Sequence, residues 1–208
     1  MRISFSCFFH HLSILFFLLQ SSVCLAIERN VKINHLTIQD GLSHYTVNVI
    51  YQDELGFMWF GTMDGLNRYD GRQIEIFKPS NRDSTSIVEN NIRDICGDGK
   101  GHLYVKGLYS VSEFDMRTSS FTMIKSDQVR HICHDGHSLW IATSKAVHRM
   151  EPDRSLRRVF SFARMQMSDV QIDCFMIAKN GDICISTEKN GYYRINTNGN
   201  IVQHIEMG

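Results

Sequence analysis

Proline is nearly missing from this chain. Two occur in 208 residues and no low-complexity tract accompanies them, which excludes a long disordered linker. An excess of one charge is missing too. Twenty-two basic residues cancel 22 acidic ones, so no whole-molecule field draws the chain to nucleic acid or to an anionic membrane. Six cysteines occur without a C-x-x-C pair, which argues against a zinc ribbon or a thioredoxin-type site. No G-x-S-x-G elbow is present and no Ser/His/Asp ordering can be argued. Beyond the N-terminus nothing in the chain is apolar enough to cross a membrane.

At the N-terminus, Arg2 gives a positive start, Leu12 to Leu19 form an apolar stretch, and Cys24-Leu-Ala26 offers small residues at a cleavage site. The stretch is too short for a bilayer core of about 30 Å. Residues 1–26 are therefore expected to be a cleaved secretory signal peptide, leaving no membrane span in the mature chain. Export leaves Cys96, Cys133, Cys174 and Cys184 where disulfides can form, although buried free thiols acting as small hydrophobes are the expectation.

What the chain does have is a repeat. Asp53-Glu-Leu-Gly-Phe-Met-Trp-Phe-Gly-Thr62 reappears, eroded, from Asp98, from Asp135 and around Asn180. The anchors Trp59, Tyr104, Trp140 and Cys184 lie about 36 to 45 residues apart, the period of a four-stranded propeller blade. Each unit opens with a β-branched strand (Val47–Ile50, Ile92–Ile95, Val129–Ile132, Ile172–Phe175) and turns at an aspartate or glycine. A continuous apolar strand follows, then two more strands, the last alternating like a half-exposed edge. The expected fold is all-β: a partial β-propeller of four four-stranded antiparallel blades, near 47–78, 92–124, 129–160 and 171–205. Lys32 to Ile38 reads as an additional N-terminal strand without a partner, so region 27–208 is expected to be an incomplete propeller, a fragment of something longer. A β-solenoid is the rival, but its coils are shorter and need no bulky aromatic once per unit.

The run from Asp40-Gly-Leu-Ser-His-Tyr-Thr-Val47 through Gln52-Asp53, Gly56, Met58-Trp-Phe-Gly-Thr62, Asp64-Gly-Leu66, Arg68-Tyr-Asp-Gly71 and Phe77 resembles the two-component regulator propeller repeat. The resemblance covers most of residues 31–205, with Lys106, Ser138 and Cys184 departing from the usual glycine, glycine and tryptophan. It implies the periplasmic sensor half of a hybrid two-component histidine kinase of Bacteroidetes, which detects a carbohydrate breakdown product. Such a protein continues into a membrane helix, kinase, receiver and DNA-binding region. This chain shows none of the motifs of those parts, so it is expected to be no enzyme, to use no cofactor, and to bind an oligosaccharide or pair with itself. The alternatives are a propeller-scaffold enzyme of the lyase or lactonase type, or an orphan protein-interaction propeller.

Several residue sets invite chemistry. Asp53, Asp98 and Asp135 recur at turns whose amides need an acceptor, a structural reading that outweighs acid–base work. His131, His134 and His137 have a helical ligand spacing, but on a strand and turn such residues diverge. The repeat position of Trp59 and Trp140 argues for packing rather than sugar stacking. Asn48, Arg93, Arg130 and Asp173 occupy equivalent positions at the start of each innermost strand. They are the candidate ligand-binding ring, suited to hydroxyls or a uronate carboxylate, with His44 and Tyr45 beside the first blade. No metal site is expected.

Overall fold

The computed structural model describes residues 35–126, 128–165 and 170–206. The expected signal peptide lies outside them, and all of the architecture belongs to the compact unit Leu36–Gly208. Sixteen strands form four separate antiparallel sheets, each in simple meander order. The first contains β1 (Val47–Gln52), β2 (Met58–Thr62), β3 (Gly65–Tyr69) and β4 (Ile74–Phe77). The second contains β5 (Asp94–Gly97), β6 (His102–Lys106), β7 (Ser110–Asp115) and β8 (Ser120–Ser126). The third contains β9 (Val129–His134), β10 (Leu139–Thr143), β11 (Ala146–Met150) and β12 (Leu156–Ser161). The fourth contains β13 (Ile172–Ile177), β14 (Ile183–Thr187), β15 (Gly191–Ile195) and β16 (Ile201–Ile205).

The first hairpin of each sheet is closed by side-chain acceptors. Asp53 Oδ1 accepts from the amides of Leu55 (3.0 Å) and Phe57 (2.9 Å). Asp98 Oδ1 does the same for Lys100 and His102, and Asp135 Oδ1 for His137 and Ser138. Gly56, Gly101 and Gly136 take φ near +90°, a region closed to most side chains. In the fourth sheet Asn180 caps the turn by accepting from the Asp182 amide (3.2 Å).

The innermost strands pack in succession, β1 beside β5, β5 beside β9, and β9 beside β13, as in blades stacked around an axis. Three apolar cores lie between the four sheets. Trp59, Leu66, Leu103 and Phe114 fill the first; Tyr104, Val111, Leu139 and Ile141 the second; Trp140, Phe160, Ile183 and Ile185 the third. The repeat anchors Trp59, Tyr104 and Trp140 therefore each face the following blade, where apolar burial is densest. Cys184 takes the same position on the fourth blade and is held under Tyr192, whose hydroxyl donates to its sulfur (3.2 Å).

Two expectations need correction. His35 to Ile38 do not form a strand: they run without regular structure into a 3-10 turn, Ile38–Asp40, closed by Thr37 and Asp40. The rest of the expected strand, 32–34, lies outside the described residues. The following segment packs on the first blade, with Leu42 buried and Ser43 bonded to Asn67 and Thr62. The strand expected at Ile92 begins instead at Asp94, because the Ile92 amide is spent on Thr62 O of the preceding blade (2.8 Å). The four cysteines of the described residues are free thiols. Burial pushes the Cys96 thiol up and that of Cys133 up to about 12, so neither is poised to react.

Candidate functional site

The register explains why the four ring residues are equivalent. In β1 the pairing with β2 shifts between Val47 and Val49, leaving Asn48 as the extra residue of a bulge. In β9 the shift sets Arg130 between Val129 and His131, and in β13 it sets Asp173 between Ile172 and Cys174. Arg93 is the analogue in the second blade: its amide bonds Lys106 O (2.8 Å) while Asp94 already pairs with Lys106. A bulge turns one side chain out of the alternating pattern, and here it does so at the axial strand of the first, third and fourth blades.

Asn48 of the ring, and the residues that follow Arg93 and Arg130, bond each blade to the next. Asn48 Nδ2 donates to Ile92 O of the second blade (2.8 Å). Asp94 Oδ2 accepts from Ile132 N of the third blade (3.4 Å). His131 Nε2 bonds Ile172 O of the fourth (2.9 Å). Arg93 and Asp173 are exposed, and Arg130 is half-buried. His44 and Tyr45 stand at the same end of the first sheet, stacked on one another at 4.2 Å, with Tyr45 78% exposed.

Lys106 is the residue that sequence reasoning missed as part of this site. It occupies the repeat position of Gly61, Ala142 and Ser186, yet its side chain is buried and only 6% exposed. Its ammonium donates to Gly107 O (2.9 Å). Burial pushes that amine down, with Asp94 countering the effect and Arg93 and Arg130 adding to it. Asp94, its cross-strand partner, is pushed up by burial, partly offset by the Ile132 amide and by His131. Three cationic side chains thus gather where the second and third blades meet the axis, with Asp94 and Glu89 as the carboxylates that act on Lys106. The departure from glycine at Lys106 was the available signal. Beside it, Glu89 accepts from the amides of Leu108, Tyr109 and Ser110, closing the β6–β7 turn.

Residues 41–64 match the family model described as Two component regulator propeller. That stretch is similar to a two-component regulator propeller repeat. That repeat spans the first ring residue, His44, Tyr45 and the Asp53–Trp59 pair. A 48-residue stretch is 50% identical to Histidine kinase P4 of Formosa agariphila, covering 23% of this chain and 4% of that protein. Among solved structures, similarity extends to an extracellular domain ascribed to a hybrid two component system, BT4673 of B. thetaiotaomicron. The identity is 20% and the TM-score 0.55, covering 80% of this chain and 30% of that one. The beta-propeller domain of Cps50 (Swd1) from Myceliophteria thermophila superposes with a TM-score of 0.59 at 10% identity, over 80% of this chain and 57% of that one. The chain thus spans a small part of the curated relative and under a third of the first solved structure. The fold is that of propeller blades.

The remaining candidates separate as strand geometry requires. His131 reaches forward to the fourth blade, whereas His134 stacks on Tyr104 of the second, at 5.8 Å. Among the described residues no cluster of three or more His, Cys, Asp or Glu side chains is arranged to hold a metal. No helix among them is long and apolar enough to cross a membrane. Trp59 and Trp140 are buried packing residues whose indole N–H groups donate to Asp53 and Asp135, each at 2.7 Å.

Proposed function

We propose that this chain is a non-catalytic, periplasmic ligand-sensing propeller segment of a hybrid two-component signalling protein, and that its axial ring receives an acidic oligosaccharide. The observation that carries the reading is the equivalent position of Asn48, Arg93, Arg130 and Asp173, three of them at strand bulges and Arg93 immediately before its strand. Arg93, Arg130 and Lys106 supply charge-assisted donors for a carboxylate, and Asn48 and Asp173 supply partners for hydroxyls. The match of residues 41–64 to the regulator propeller repeat supports the signalling context. The ring residues are chemically unmatched, without the paired acids or nucleophile–base contact that hydrolysis or elimination needs. Signalling then proceeds by population shift, the ligand favouring one blade arrangement over another.

A thermal-shift titration with neutral and uronate-containing oligosaccharides tests this. A ligand at one hundred times its Kd stabilises the native form by about 2.7 kcal/mol, which in a domain of this size raises Tm by roughly 5–11 °C. Uronate oligosaccharides are expected to give that rise, and Arg93→Ala to reduce it. The absence of a shift with every acidic oligosaccharide refutes the ring as a preformed site.

A further inference from the structure

A second concavity lies between the second and third blades, at the opposite end of the sheets from the ring. It is a cleft of about 210 Å³ bounded by the inner hairpin turns of both blades and by the β11–β12 turn. Its floor is set by a departure from the repeat. In the first and third blades the anchor is tryptophan, and its N–H is consumed by the turn aspartate. In the second blade the anchor is Tyr104, and Asp98 Oδ2 is instead taken by His102 Nδ1 (2.8 Å). Tyr104 is 3% exposed, lines the cleft, and its hydroxyl has no hydrogen-bond partner among the described residues. The hydroxyl is not sealed off from solvent, so it opens onto the cleft as a donor for whatever occupies it.

The neighbouring groups say what that is. The His134 ring lies parallel to Tyr104, 10° apart in plane, and its Nδ1 accepts from Gly136 N (3.1 Å). The proton therefore sits on Nε2, a second donor. Ser138 adds a hydroxyl at the rim, and Leu139 and Met150 give an apolar wall. Most charged groups of the lining are already paired within the protein: Asp98 with His102, Glu151 with Arg149 and Arg157, and Arg154 with the buried Glu113 of the second blade. A cavity lined this way suits an uncharged ligand with one apolar face and several hydroxyls. Its volume lies below the roughly 300–1,000 Å³ of sites for drug-sized molecules, which limits the occupant to about one ring.

We infer that the cleft between the second and third blades is a binding site for a single neutral hexose unit, with Tyr104 and His134 donating to its hydroxyls and Leu139 and Met150 against its C–H face. The site is separate from the axial ring and stands without it.

Ligand-observed NMR titration of the intact chain with D-glucose, D-galactose and D-mannose, and with D-glucuronate for comparison, tests the inference. At least one neutral hexose is expected to bind, and Tyr104→Phe to weaken it about 10-fold, the factor corresponding to 1.4 kcal/mol for one hydrogen bond. The melting temperature of Tyr104→Phe should be unchanged, since the hydroxyl satisfies no protein group. Ser138→Ala, on an exposed turn, gives a second reading of the same site and should weaken the same hexose. Arg93→Ala should leave hexose binding as it is. Failure of all three hexoses to bind the unaltered chain overturns the inference, as does undiminished binding in Tyr104→Phe or Ser138→Ala. Loss of hexose binding in Arg93→Ala alone assigns the sugar to the ring and overturns the cleft without touching the ring proposal. Uronate binding that survives Tyr104→Phe but not Arg93→Ala supports the ring, and if no neutral hexose binds alongside it the cleft is overturned.

Discussion

Replacing Asp53 by alanine separates a turn acceptor from a blade anchor. Asp53 makes three bonds: to the amides of Leu55 and Phe57, and to the Trp59 indole N–H at 2.7 Å. Without the carboxylate the two turn amides regain water. The indole does not, because Trp59 is 0% exposed. An unsatisfied buried donor costs about 1–3 kcal/mol, and the lost charge-assisted bonds add about as much, giving roughly 3 kcal/mol in total. For a chain of this length that lowers Tm by roughly 6–12 °C. Asp98→Ala is the internal control. Its Oδ2 serves His102, which is half-exposed and finds water, so the expected loss is only about 1 kcal/mol. Asp135→Ala, which strands Trp140, should resemble Asp53→Ala. Urea denaturation of the three variants followed by tryptophan fluorescence measures the difference. Equal losses for Asp98→Ala and Asp53→Ala would refute the claim that the indole bond separates them.

Two further outcomes follow from the packing. A Cβ at Gly61 would stand 2.5 Å from Val49 Cγ1 and 2.6 Å from Ile92 Cγ2, so Gly61→Ala should destabilise by about 1–3 kcal/mol in the same denaturation assay, despite an ordinary backbone conformation. Burial alone would raise the Glu89 carboxyl, but the Ser110 hydroxyl and three amides outweigh it and hold it below 4.5. Its stabilising effect is therefore complete above pH 4.5 and is lost as pH falls through the lower folded value. Glu89→Gln should cost about 1 kcal/mol at pH 7 after allowing for solvent screening, and unfolding curves of the two proteins should converge in acid.

The blades were legible because their signals are local: a turn acceptor, a glycine with positive φ, and an apolar strand with one large anchor recur at a fixed period. The equivalence of Asn48, Arg93, Arg130 and Asp173 was legible for the same reason, but the bulges at three of them were not, since a two-against-one pairing leaves no mark in composition. Ile92 was read as a strand residue because its side chain is β-branched; its amide bond to the first blade is a tertiary contact that propensity does not report. Lys106 was visible as a departure from glycine, yet its burial depends on how widely two blades part near the axis. At Gly61 the corresponding space is closed by Val49 and Ile92, and at Lys106 it holds a whole side chain. Tyr104 looked like a conservative stand-in for tryptophan. The difference lies in His102, four residues after Asp98, which claims the acceptor that an indole would otherwise use.

The Asn48 carboxamide has two N–H donors, and both are already engaged. The amide nitrogen is tied to Ile92 O (2.8 Å) and to Asn91 Oδ1 (3.4 Å), fastening the first blade to the second. A hydroxyl or carboxylate arriving at the ring competes for the same donor, so occupancy and fastening cannot both be complete. Capture of a ligand there loosens a joint, and the angle between two blades becomes the quantity that reports it.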